Sequence, residues 1–141
     1  MGAALSPEAR RLVDERNVAH LSTLMPGGEP KVEPVWIGRE GDLVFVTTDV
    51  KSIKAKNLAR DPRMALSVTG ANPYEQLLIR GRLVETRPDD DLAAMDQLSL
   101  KYLGRPFPRR RWSGRVALVF EASIARYYQS PLADLVVDPI D

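Results

Sequence analysis

DLVFVTTDVKSIKAKNLARDPR, residues 42 to 63, carries a strand into a helix. Leu43-Val44-Phe45-Val46 is an apolar strand, and Thr47-Thr48-Asp49 leads from it into a helix that ends before Asp61-Pro62. Val50, Ile53, Asn57 and Leu58 recur at helical spacing and define one arc. At about 100° per residue, Lys54 falls between Ile53 and Leu58, inside that arc. Burying a lysine charge is costly without a partner, and no acid follows it on the helix. An external anion would supply one, because backbone N–H groups and the helix dipole favour negative charge at a helix N-terminus. Thr47, Thr48, Lys51 and Ser52 add donors at the same corner. The structural alternative is a snorkelling Lys54, with its stem apolar and its ammonium wet.

Around this segment the chain is ordinary. Its 141 residues suit one domain, 1–141, with a core of its own. A formal charge of +1 provides no global field to recruit nucleic acid or an anionic membrane. Without cysteine, disulfides, thiolate catalysis and cysteine-based zinc sites are excluded, and the single His20 cannot assemble a metal cluster alone. No apolar run approaches the ~20 residues that span a bilayer, and the N-terminus lacks the apolar segment of a signal peptide. A soluble, cytoplasmic protein is expected.

Ser6-Pro7-Glu8 opens a first helix, expected to run to about Asn17, with Ser6 as its cap. Strands are expected over Val18–Leu24, Lys31–Ile37, Leu43–Thr48, Met64–Thr69 and Glu75–Thr86. Pro34 argues that the second is an edge or bulged strand, and Gly81 marks a bulge or close approach in the fifth. Asp89-Asp90-Asp91 suits the positive end of a second long helix better than a metal, and Leu92, Met95, Leu98 and Leu103 give that helix its apolar face. One or two strands over Val116–Glu121 and Ile124–Tyr128 close the chain. Six or seven short strands joined by tight turns imply antiparallel pairing, and closing the sheet into a small barrel removes its edges.

Catalysis by side chains has few candidates. His20 sits beside Ser22 on one strand, where it cannot act as a positioned base. Arg109-Arg110-Arg111-Trp112 is a solvated loop or, less simply, a phosphate or nucleic-acid patch. Trp36, in the second strand, is expected to neighbour the third strand in a meander and so to lie near Thr47 and Thr48. There it is either core or the wall of a site for a flat ligand.

The order of strands and turns, followed by Lys54, Asn57, Leu58, Asp61, Pro62 and Arg63, resembles the flavin- and deazaflavin-binding split β-barrels, the pyridoxamine-phosphate-oxidase-like proteins. The resemblance spans about Asn17 to Tyr128. It implies a mainly β fold with flanking helices, a six-stranded antiparallel split barrel. It also implies a homodimer with two cofactor sites at the subunit interface. By position, Lys54 is then the main phosphate ligand, with Lys51, Ser52 and the motif's Asn57 beside it, and Thr47 and Thr48 border the ribityl chain. Pro34, Val35 and Trp36 contact the tricycle, and Tyr74 and Gln76 reach towards the partner's cofactor. Ala125-Arg126-Tyr127-Tyr128-Gln129-Ser130-Pro131 departs from the closing segment of pyridoxamine phosphate oxidases, which argues against vitamin B6 oxidation. Tyr102-Leu103-Gly104-Arg105-Pro106-Phe107-Pro108 is similar to the branch that uses coenzyme F420. The resemblance thus implies an oxidoreductase with F420, or alternatively FMN, passing hydride to an unsaturated small molecule. No catalytic side chain, metal, nucleic acid or membrane is implied. The alternatives of another class are a cofactor carrier or sensor and a small-barrel nucleic-acid binder.

Overall fold

The structure is a computed structural model that describes residues 2–132. Its elements are α1 (Pro7–Asp14), β1 (Ala19–Leu24), β2 (Pro30–Val35), β3 (Gly38–Glu40), β4 (Leu43–Asp49), α2 (Ile53–Arg60), β5 (Arg63–Thr69), β6 (Glu75–Pro88), α3 (Ala93–Leu103) and β7 (Arg115–Gln129). Helix ends follow from side-chain chemistry. Ser6 Oγ accepts the Ala9 N–H at 3.1 Å and starts α1. The Asp89 carboxylate accepts the N–H groups of Ala94 and Met95 at 2.8 and 3.0 Å, so the acid run holds the positive end of α3. The buried residues of α3 are Met95, Leu98, Ser99 and Tyr102, whereas Leu103 is exposed. The expected apolar face is therefore turned by one residue at its end.

All strand pairs are antiparallel, in the order β2-β1-β5-β6-β7-β4-β3. Between the expected strands over Lys31–Ile37 and Leu43–Thr48 the chain forms one more, the short strand β3, which brings the strands to seven. The two closing segments form one continuous strand, β7, which pairs with β6 along its length and with β4 over its first half. Gly81 lies at the register break in β6, where an added Cβ would sit 2.0 Å from the Glu121 carbonyl oxygen. The expected meander is corrected: β2 pairs with β1 and does not neighbour β4.

That order closes the barrel. β2 and β3 lie at opposite edges of the sheet, yet only Trp36 and Ile37 separate them in the chain. A flat sheet of this width would hold its edge strands roughly 29 Å apart at ~4.8 Å per strand. The link from Val35 to Gly38 can span at most about 11 Å. The sheet must curl until its edges meet, and they meet without a ladder. Inside the curl, Leu21, Val44, Val46, Leu66, Val68, Leu77, Ile79, Leu118 and Phe120 form the core with Leu12 and Val13 of α1. Outside it, α3 covers Phe45 and Val119 with Leu98 and Tyr102. β4 is thus buried on both faces, which is why its sequence is a continuous apolar run rather than an alternation.

Where the edges meet, α3 supplies the missing partners. The Ile37 N–H donates to the Tyr102 hydroxyl at 3.2 Å, and that hydroxyl donates to the Asn17 carbonyl. Lys101 Nζ donates to the carbonyls of Ile37 and Val13. Burial pulls the Lys101 ammonium down to about 8 and pushes the Tyr102 phenol up, so both groups remain donors at neutral pH. Replacing Tyr102 by Phe keeps the ring and leaves the Ile37 N–H and the Asn17 carbonyl without their partner. Urea unfolding of Tyr102→Phe is expected to show a loss of about 1–3 kcal/mol at an unchanged slope against denaturant.

Candidate functional site

The helix after β4 begins later than its sequence pattern suggests. Ser52 is the cap of α2: its hydroxyl accepts the Ala55 N–H at 3.2 Å and the Thr48 hydroxyl at 2.9 Å. Asp49 closes the preceding turn, its Oδ1 accepting the Lys51 N–H at 2.8 Å and its carbonyl accepting the Ser52 N–H at 2.9 Å. Val50 is therefore outside the helix, and both Val50 and Ile53 are exposed, at 47% and 51%. The buried side of α2 consists of Ala55, Asn57 and Leu58, which corrects the expected arc. The N–H groups of Ile53 and Lys54 take no acceptor among the described residues. They are the open donors of a helix start.

Lys54 is drawn in from solvent, its side chain 15% exposed, and it has a protein partner. Glu33 of β2 reaches it at 3.3 Å, while the other Glu33 oxygen takes Lys31 at 3.2 Å. The expectation of a lysine without an acid held for its own helix and failed across space. β2 is brought to α2 by the curl of the sheet, a contact no local pattern encodes.

Beside Lys54 opens a cleft of about 390 Å³, lined by Val18, Pro34, Val35, Trp36, Thr47, Lys54, Met95 and Arg115. Five of the expected site residues thus converge: Pro34, Val35, Trp36, Thr47 and Lys54. Trp36 reaches this wall through the β2–β3 link, not through a meander. Its ring stacks on Tyr102 at 5.0 Å between centroids and 5° between planes, so α3 fixes its orientation. Thr48 and Ser52 lie behind the wall, bonded to each other. Lys51 is exposed at the helix start.

Other expected residues are not in the cleft lining. Asn57 is buried, its amide donating to Thr23 Oγ1 at 3.1 Å and its carbonyl oxygen accepting from Arg60 at 2.9 Å. It ties α2 to β1. Tyr74 precedes β6, and Gln76 on its exposed face donates to Ser67 at 3.2 Å. His20 is exposed on β1, and its strand neighbour Ser22 is not a bonded partner.

The sequence reading missed Val18, Met95 and above all Arg115. Arg115 opens β7 opposite Asp49 and is 6% exposed. Its Nη2 donates to Thr47 Oγ1 at 3.1 Å and to Met95 Sδ at 3.3 Å, and its guanidinium lies over Trp112 at 4.1 Å. Burial pulls it below the usual arginine range. The available signal was one arginine heading the apolar run of β7. The neighbouring arginines differ: Arg110 pairs with Asp96 at 2.7 Å, and Arg109 stacks on Trp112 at 4.3 Å.

Among the described residues no group of three or more His, Asp or Glu could hold a metal, and no helix is long and apolar enough to cross a membrane.

The sequence profile of the family described as pyridoxamine 5'-phosphate oxidase matches residues 5–130. No curated protein matches the chain. Among solved structures, a protein named F420 reductase is 28% identical with a TM-score of 0.77, over 83% of this chain and 94% of that one. A conserved hypothetical protein from Mycobacterium tuberculosis is 19% identical with a TM-score of 0.71, over 99% of this chain and 92% of its own. A pyridoxamine 5'-phosphate oxidase-related, FMN-binding protein from Nostoc punctiforme is 19% identical with a TM-score of 0.59, over 86% and 78%. The last two likenesses concern the fold alone.

Asn57 provides a test of how the cleft is supported. Asn57→Ala strips a buried partner from Thr23 and Arg60 and is expected to cost about 1–3 kcal/mol of stability. Chemical denaturation of the variant measures it.

Proposed function

The chain belongs to the pyridoxamine 5'-phosphate oxidase family, and from that premise we propose an oxidoreductase that binds coenzyme F420, with FMN as the alternative, and exchanges hydride with an unsaturated organic substrate. The supporting observation is the continuity of one cleft, from Lys54 at the start of α2 to the indole of Trp36. An anionic head and a flat ring need those two ends. The likeness to the protein named F420 reductase favours the deazaflavin over FMN.

The residues present fit such a group. The open N–H groups of Ile53 and Lys54, with the Lys54 ammonium and the hydroxyl of Ser52, would hold the phosphate, and Lys51 adds charge outside. Thr47 and Thr48 would border the ribityl chain, and Pro34, Val35 and Trp36 would flank the tricycle. When bound, the cofactor supplies the hydride chemistry, so no catalytic triad is required of the chain. What the chain contributes is position: the Trp36–Tyr102 stack fixes one wall, and Met95 and Val18 keep the cleft partly apolar.

The proposal includes a homodimer. The outer face of the sheet runs across Val32, Ser22, Ala65, Arg80 and Ile124 in register. Val32 and Tyr128 on that face are 64% and 55% exposed. A second copy covering it would bring Tyr74 and Gln76 towards its partner's cleft. Sedimentation is expected to give a dimer, and cofactor affinity is expected to fall as dilution dissociates it.

The deciding experiment is the absorbance spectrum and mass of whatever co-purifies, followed by titration with F420 and with FMN. Reduction by a cofactor-regenerating dehydrogenase and reoxidation on a substrate panel separate an enzyme from a carrier. Lys54→Ala is expected to weaken cofactor binding by about 1.5–3 kcal/mol, the scale of one hydrogen bond to a charged group. The exposed Lys56→Ala is expected to change it by less than twofold. Equal losses at both positions would remove the phosphate from this helix.

A further inference from the structure

Arg115 carries a buried charge with no carboxylate in contact. Its Nε has no acceptor and is shut off from solvent. Among the described residues no carboxylate lies within 4 Å of it. Asp89 and Asp49 act on it only from beyond that distance, their carboxylates hydrogen-bonded to the N–H groups of α3 and of Lys51. Removing a guanidinium from water without an acid partner is costly. Trp112, stacked on it at 4.1 Å, offsets part of that cost and closes one side. Thr47 and Met95 occupy Nη2 and leave the rest of the donor fork unused.

Lys54 differs, because Glu33 already shares its charge. The positive charge of the cleft that still lacks a partner is therefore on the Arg115 side. A guanidinium offers parallel N–H donors that match the oxygens of a phosphate or carboxylate.

We propose that Arg115 is an oxyanion-binding side of the cleft, additional to the donors of the helix corner at Lys54, which takes a phosphate or carboxylate oxygen of a bound small molecule. The inference deepens the cofactor reading and rests on its cleft, not on the identity of the cofactor. The oxyanion has two sources, the cofactor's own phosphate or the carboxylate of a second molecule held beside it.

The test uses the full chain, labelled with nitrogen-15, and follows the Arg115 Nε–H resonance during titration with sodium phosphate and with sodium benzoate. At least one anion is expected to shift it, and Arg115→Gln is expected to raise that anion's Kd at least tenfold. Arg115→Lys, which keeps the charge and loses the fork, is expected to recover part of the affinity, and Arg109→Gln to stay within twofold. FMN and riboflavin then separate the sources. Arg115→Gln weakening FMN tenfold and riboflavin less than twofold assigns the cofactor phosphate to Arg115. Unchanged affinity for both flavins with loss of benzoate assigns a second molecule's carboxylate. An Arg115 resonance unmoved by either anion, with all four ligands binding the variant as they bind the native chain, overturns the proposal. If neither F420 nor FMN binds while an anion still shifts Arg115, the cofactor reading fails and the subsite stands.

Discussion

Two residues, Trp36 and Ile37, join strands at opposite edges of one sheet, and that covalent constraint governs the rest of the molecule. It forces the curl, and the curl creates an interior that the alternate residues of each strand fill. It also leaves a seam where backbone groups have no ladder partner. Buried polar groups must be paired, and α3 pairs them with a phenol and an ammonium from adjacent positions, Tyr102 and Lys101. The tyrosine that satisfies Ile37 also holds Trp36 flat. The seam and the cleft wall are one structure.

The cleft divides its positive charge unequally. Lys54 is shared with Glu33, and Arg115 has only hydroxyl, sulfur and indole around it. In a partly buried site such a difference outweighs the count of lysines and arginines nearby, because exposed pairs are worth little and desolvated charges are strongly felt. Arg110, Arg87 and Arg63, each beside a carboxylate near the surface, belong to the first kind.

Much of this was legible in residue order. The cap at Ser6, the acids that hold α3, the bulge at Gly81 and the antiparallel pairing follow from rules that act within a few residues. The convergence of Lys54, Thr47 and Trp36 was also legible, though the reason given for Trp36 was wrong. What could not be read locally was set by distance along the chain. The order of the strands decides that β2 faces α2, and only then does Glu33 meet Lys54. The burial of Arg115 depends on β4 lying beside β7 and on α3 crossing above. Val50 misled because apolar periodicity was extended across Ser52, whose hydroxyl starts the helix, and Ile53, although inside the helix, points away from its buried side.

The placement of β7 has a consequence for synthesis. It is the last of the described strands to be made, yet it lies between β6 and β4, so until then β4 has only the three-residue strand β3 beside it. Leu43-Val44-Phe45-Val46, which ends buried on both faces, leaves the ribosome with β3 along one edge and keeps its other edge open through the synthesis of α2, β5, β6 and α3. Topologies dominated by such distant pairings fold slowly, and waiting strands are where aggregation begins. Thr47-Thr48-Asp49 and Lys51, polar residues that later frame the cleft, flank this segment during that interval. The polar residues that frame the cleft in the finished protein thus also border the apolar segment while it is being made.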